Sequence, residues 1–191
     1  MIGQAAIEEN TFTRVDFSKQ RPVATGFEEC TFEHCFFSKA DLSNIVFSDC
    51  IFTGCDFSMA TLTKTVLRGA RFKDCKMLGV HFEQCNSFIF TVDFENCILN
   101  LASFYKLSMK KTRFQNCTLH EVDFAECDLT GALFDHCALN GAKFDRTVLA
   151  KADFRTSFHY AIDPERNRVA KAKFSSAGLA GLLGKYDIEI D

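Results

Sequence analysis

Large apolar side chains recur at every fifth residue of this chain, and neither a helix nor a flat strand repeats at five. The series runs Phe12, Phe17, then Phe27, Phe32, Phe37, Leu42, Phe47, Phe52, Phe57, Leu62, Leu67, Phe72, Met77 and Phe82. Pro22 and Ser87 are its only non-conforming members, and it resumes two residues out of phase at Phe94, continuing to Phe154. That makes 16 units before the slip and 13 after it. Two residues before each centre the side chain is usually small, and all ten cysteines fall at this position. A helix needs a period near 3.6 and a strand a period of 2. Two inward residues per five, one large and one small, describe a chain that turns a corner every five residues around a narrow core.

Units such as CDFSM (55–59), ADLSN (40–44), ADFRT (152–156), CDLTG (127–131) and GAKFD (141–145) resemble pentapeptide-repeat proteins over about residues 10–156. The resemblance implies an all-β fold, a right-handed quadrilateral parallel β-helix with four units, or about 20 residues, per coil. It divides the chain into a β-helix over 1–174, with a bulge near 86–92, and a C-terminal module over 175–191. Twenty-nine units make about seven coils, or roughly 34 Å at about 4.8 Å per coil.

The cysteines test that coil independently. With the slip taken as a two-residue bulge, Cys35, Cys55, Cys75, Cys97, Cys117 and Cys137 form one column. Phe32, Phe52, Phe72, Phe94, Phe114 and Phe134 form a second, extended by Phe12 and Phe154. Ala40, Ala60, Val80, Ala102, Val122 and Ala142 form a third. One assumption orders all three.

Cys30, His34 and Cys35 invite a zinc reading, but structural zinc takes four converging ligands, and a residue just before an inward cysteine points outward. Disulfides are geometrically conceivable between neighbours in a column. Small apolar filling by reduced thiols explains six in register better. A nucleophile needs an exposed, activated thiolate, which wall positions deny. No phosphate loop, H-E-x-x-H or G-x-S-x-G occurs. The chain reads as a non-enzyme with no metal and no cofactor. With a formal net charge of −3 and no apolar run near the roughly 18 residues a span needs, it reads as binding neither nucleic acid nor membrane. No signal-peptide pattern opens it, and the expected location is cytoplasmic.

Function is expected where the repeat breaks or on the outer surface. SKQRPVATG (18–26) reads as a loop or imperfect first coil. In the bulge, Phe88, Ile89 and Phe90 are three large apolar residues in succession, a packing patch or a partner contact. After the Asp163–Pro164 turn, Ala172 and Phe174 restore the small/large pair. Ser175 or Ser176 then caps a short helix carrying Leu179, Leu182 and Leu183, followed by Tyr186, Ile188 and Ile190. That module covers the open coil end and is the candidate homodimer interface.

KFSSAGLAGLLGKYDIEI, with CKMLGVHF (75–82) and CILNLASFY (97–105), is similar to the quinolone-resistance and microcin B17 or albicidin immunity subgroup. The resemblance implies a dimeric, DNA-imitating rod that binds DNA gyrase, or its relative topoisomerase IV, and protects it from poisons. A rod binding a non-topoisomerase partner is the alternative. The charge is less uniform than mimicry asks. Residues 8–62 sum to −5, 63–82 to +4, 83–101 to −3 and 102–113 to +4. Residues 114–142 hold Glu121, Asp123, Glu126, Asp128 and Asp135 with no lysine or arginine, the candidate acidic contact.

Overall fold

The computed structural model describes residues 6–186 together with 188 and 189. The chain winds as a parallel β-solenoid whose short strands pair with the same side of the next coil. On the first side, β2 (Thr11–Thr13), β4 (Thr31–Glu33) and β6 (Ile51–Thr53) lie in register, followed by β7 (Val66–Lys73), β8 (Phe90–Glu95), β9 (Arg113–Gln115) and β10 (Leu133–Asp135). Their centres match as Phe12, Phe32, Phe52, Phe72, Phe94, Phe114 and Phe134. The fourth side begins with β1 (Ile7–Glu8), β3 (Gly26–Glu28) and β5 (Val46–Ser48), and continues into β7. The second and third sides are built from single parallel bridges, such as Asp56 to Lys76 and Ser103 to Asp123.

Most corners are made by the last residue of a unit in the left-handed region, among them Glu9 at φ 49°, His34 at 53° and Lys106 at 63°. That conformation is unfavourable for residues with a Cβ. It persists because the corner N–H donates to the next coil: Glu9 to Glu28 at 3.0 Å, His34 to Thr53 at 2.8 Å, Lys106 to Ala125 at 3.1 Å.

Inside, like stacks on like. The phenylalanine column runs from Phe12 to Phe174 with ring centroids 4.5–5.5 Å apart and near-parallel planes. Rings from adjacent sides meet edge-on, as Phe32 does Phe37 at 67°; both geometries suit the ring quadrupole. Before the bulge the second side supplies Phe37 and Phe57, and after it Leu99, Leu119 and Leu139. The third side changes the opposite way, from Leu42 and Leu62 to Phe82, Phe104 and Phe124. Met77 stands at the changeover, where an unbranched side chain fits an irregular gap, and only about 10 Å³ of void remains there.

All six cysteines of the expected column are buried, and all ten in the chain are free thiols. Each of the six has a structural bond as well as a volume: the Cys55, Cys75 and Cys97 thiols lie 3.4 Å from the carbonyls of Phe32, Phe52 and Phe72. Hydroxyls do the same work elsewhere in the wall. Thr65 donates to Leu42 at 2.8 Å, Thr147 to Phe124 at 2.9 Å and Ser157 to Phe134 at 2.8 Å.

The bulge differs from the sequence expectation in one residue. Phe90, a candidate partner contact beside Phe88 and Ile89, pairs with Leu67 and is buried, taking the core place that Ser87 vacates. From Leu67 to Phe90 the chain has three residues more than a coil. It gives one back before Val92, which pairs with Ala70. A narrow core admits one large side chain per unit, so Phe88 and Ile89 are left outside.

Two substitutions separate ring stacking from wall filling. Phe114→Ala removes a ring held between Phe94 and Phe134 and is expected to cost about 3–5 kcal/mol in denaturant unfolding. Cys117→Ser keeps a donor of the kind Ser157 shows to be acceptable and is expected to cost only about 1 kcal/mol. Equal losses would mean that the rings do not dominate the core.

Candidate functional site

The ten thiols are buried, and they are not alike: hydrogen bonds with Cys75 and Cys117 lower Cys55 and Cys137, while others are raised. Burial pushes the Cys85 and Cys127 thiols up to about 12 and Cys50 up to about 11. A hydrogen bond with Cys117 does the same for Cys97. Whatever this chain binds, it meets with its outer surface.

Among the described residues the most exposed large apolar side chain is Phe88, at 97%, with Ile89 beside it at 43%. The Asn86 side chain accepts the Phe88 N–H at 3.1 Å and so shapes the bulge. Immediately beyond Phe90 lies a groove of about 280 Å³, lined by Asp49, Arg71, Asp93, Lys110 and Lys111. Among the described residues Arg71 and Lys111 form no ion pair, while Lys110 meets Asp128 at 3.2 Å.

The five acids of residues 114–142 do not form one patch. Glu121, Asp123, Glu126 and Asp128 follow successive sides and corners of one coil, and Asp135 lies on the first side of the next. Three are already engaged. Glu126 is shared by Arg146 at 2.7 Å and Lys106 at 3.5 Å, and accepts the Tyr105 hydroxyl at 3.2 Å. Burial would raise its carboxyl, but these partners hold it below the usual range. Asp128 is likewise lowered against burial by Thr130 and Lys110. Asp135 meets His136 at 2.8 Å and Thr156 at 2.9 Å. Asp123 accepts the Ala125 N–H at 2.9 Å and Glu121 stands on a corner; neither has a cation within ion-pair distance among the described residues. These are the two acids of the block free to face a partner. Reading charges at a spacing of 20 would have found the pairing, since Lys106, Glu126 and Arg146 are successive members of one corner column.

The C-terminal segment closes the coil end. Ser175 caps the first turn, its Oγ accepting the Gly178 N–H at 3.2 Å, and α1 (Ala180–Leu183) follows. Gly178 and Gly181 lie flat on Tyr160, where a Cβ at either would collide with it. The Tyr160 ring in turn covers Phe154 and Phe174 at 5.7 and 5.6 Å. Leu182 packs on the core and so serves the cap, and Leu183 is half-buried. Leu179, Tyr186 and Ile188 are exposed; Ile190 lies outside the described residues. Lys185 latches the segment to the Asp163–Pro164 turn, reaching Asp163 at 2.9 Å and Glu165 at 2.6 Å, and the Tyr186 hydroxyl donates to Glu165 at 2.9 Å.

A filled interior and coil-by-coil parallel pairing define a β-solenoid, and no helix among the described residues is long or apolar enough to cross a membrane. The chain belongs to the pentapeptide-repeat family: the family model described as a pentapeptide repeat region matches residues 25–88 and 87–158. No curated protein matches the sequence. Among solved structures it is similar to a trypsin-treated form of QnrB1, described as a plasmid-mediated fluoroquinolone resistance protein. The identity is 19%, the TM-score 0.64, and 97% of this chain and 98% of that chain are covered. It is also similar to HetL, a pentapeptide repeat protein involved in heterocyst differentiation regulation from the cyanobacterium Nostoc. There the identity is 13%, the TM-score 0.39, and 90% of this chain and 87% of that one are covered.

The latch should be sensitive to acid. Lys185 lowers Asp163 and Glu165, so both carboxyls titrate below their unfolded values. Their contribution is fully present above the ordinary carboxyl range, about pH 4, and is lost as pH falls through the lowered folded values. The Tyr186 ring resonance, followed by NMR, should keep its docked position from neutrality down to that range and move below it. Lys185→Met should move it already at neutral pH. A Tyr186 signal indifferent to both would mean that packing on Tyr160 alone holds the cap.

Proposed function

We propose that this rod is a non-catalytic, cytoplasmic binding protein that engages a type II topoisomerase, DNA gyrase before topoisomerase IV, and relieves the action of a gyrase poison. The observation that supports the reading most is the end-to-end correspondence with the QnrB1 fold, which spans nearly the whole of both chains. The exposed Leu179, Tyr186 and Ile188 suit the joining of two copies through the capped ends.

Duplex DNA presents one negative charge per about 1.7 Å of axis. This chain, at a formal −3 overall, imitates that locally at most. Glu121 and Asp123 are the acids we assign to the contact, because the others of the block already have partners. The second reading, a rod for a different protein, draws on Phe88, whose exposure calls for an apolar counterpart that an imitation of DNA does not need.

Supercoiling by gyrase, titrated with the protein in the presence of a quinolone or an albicidin-type poison, is expected to recover. Glu121→Gln with Asp123→Asn should raise the concentration needed by about tenfold, in line with two lost charge contacts. Glu126→Gln should leave that concentration unchanged. No recovery at any concentration, with each poison, would transfer the protein to the second reading.

A further inference from the structure

The corner joining the fourth side to the first carries, coil after coil, Glu9, Glu29 and Asp49, and beyond the bulge Lys111, Lys151 and Lys171. Gly69, Thr91 and Gly131 take the three intervening places. All six charged residues are exposed and in the left-handed region, with φ from 49° to 61°. They stack by the same backbone bond. The N–H of Glu9, Glu29 and Asp49 donates to Glu28, Ser48 and Arg68, and that of Lys111 and Lys151 to Thr130 and Ala170. None of the six forms an ion pair among the described residues. The corner between the third and fourth sides behaves differently: there Lys106, Arg146 and Arg166 are all neutralised by Glu126 and Asp145.

One corner is therefore acidic on one side of the bulge, basic on the other, and unpaired throughout. Within a chain the two halves cannot meet. A two-fold axis lying in an interface plane, at right angles to the rod and level with the bulge, reverses the order of coils while keeping this corner on itself. Coils equally distant from the bulge then face each other. Glu29 and Lys151 each lie three coils from it, and Glu9 and Lys171 four, counted along the corner through Gly69, Thr91 and Gly131. Asp49 falls opposite Gly131, between Lys111 and Lys151 of the other copy. The bulge lies at the axis, so Phe88 and Ile89 meet their own counterparts, as a self-complementary contact requires. The adjoining fourth side carries small residues such as Gly26, Ser48, Ala150 and Ala170 among larger ones, and its charges Glu28 with Arg68 and Lys110 with Asp128 are already paired.

We propose that a second copy of this chain docks antiparallel along this corner. Glu29 sets against the partner subunit's Lys151, Glu9 against the partner subunit's Lys171, and Phe88 packs at the axis. The contact is separate from the C-terminal end and independent of any topoisomerase. Exposed ion pairs are individually weak, so they fix orientation and register, while the bulge supplies the apolar area. Such an association is screened by salt.

The test is the mass in solution by analytical ultracentrifugation. The mass is expected to rise between about 0.5 M and about 0.02 M salt: it doubles if the high-salt species is a monomer, and rises further if it is an end-joined dimer, which carries two such corners. Each pair occurs twice across the axis, so Lys151→Glu should weaken the association by about tenfold. Glu29→Lys in the same chain should restore it. Carbodiimide should join Glu29 to Lys151; within one rod these lie about 29 Å apart at about 4.8 Å per coil, so the link reports two copies. A mass indifferent to salt, or a charge swap without rescue, overturns the proposal. So does binding of duplex DNA or of an acidic peptide to the lysine half while the mass stays constant, which would give those lysines to a polyanion.

Discussion

The backbone hydrogen bond from one coil to the next is the constraint on which everything else in this protein depends. It holds the corners in a conformation that side chains with a Cβ otherwise avoid, and it makes residue i the neighbour of residue i+20. Once that neighbour is fixed, core composition ceases to be free. Whatever ring or thiol stands at one level must tolerate the same kind of group about 5 Å above and below. Phenylalanine satisfies the condition by stacking near-parallel. Cysteine satisfies it with a volume small enough for the wall and a thiol able to reach a carbonyl.

The same constraint explains what was legible in the sequence. Core columns follow from spacing alone, because burial selects residue type at every level. Cys35 to Cys137 and Phe32 to Phe134 are visible without coordinates. The Ser175 cap and the return of Phe174 to the column are local signals of the same sort. The surface was harder to read, since outward positions are not selected for size. Glu121 to Asp135 looks like one acidic block along the chain. In space the coil distributes it over several sides and brings Arg146 and Lys106 to Glu126 from the levels on either side. The bulge was legible as a break, whereas the choice of Phe90 as its buried residue depends on how three extra residues are inserted and one returned. Nothing in the run Phe88, Ile89, Phe90 marks that difference.

Stacking also has an electrostatic consequence. A column of like charges, one per coil, would place them about 4.8 Å apart, close enough to repel strongly in the absence of counter-charges. At some corners the chain meets this in two ways, while Glu9, Glu29 and Asp49 stack on successive coils without relief. It alternates signs, as in Lys106, Glu126 and Arg146, or it places a left-handed glycine between cations, as Gly131 stands between Lys111 and Lys151. Both remedies dilute a uniformly acidic surface. Acidic stretches of this rod are therefore short, and surface features other than charge arise where the repeat breaks.

The bulge is the place where such features can arise at least structural cost. Across it Phe72 and Phe94 remain stacked at 5.4 Å with planes 14° apart, so the core column passes through without a gap. An insertion in a solenoid with a filled centre has nowhere to go but outward. Its length need not be a multiple of five, provided that one large residue returns to the centre, as Phe90 does. The residues left over are then free of the repeat: they need not stack, match a neighbour or suit a corner. Phe88 and Ile89 are such residues, which is why a chain otherwise governed by its own periodicity can present a non-periodic contact there and keep its walls intact.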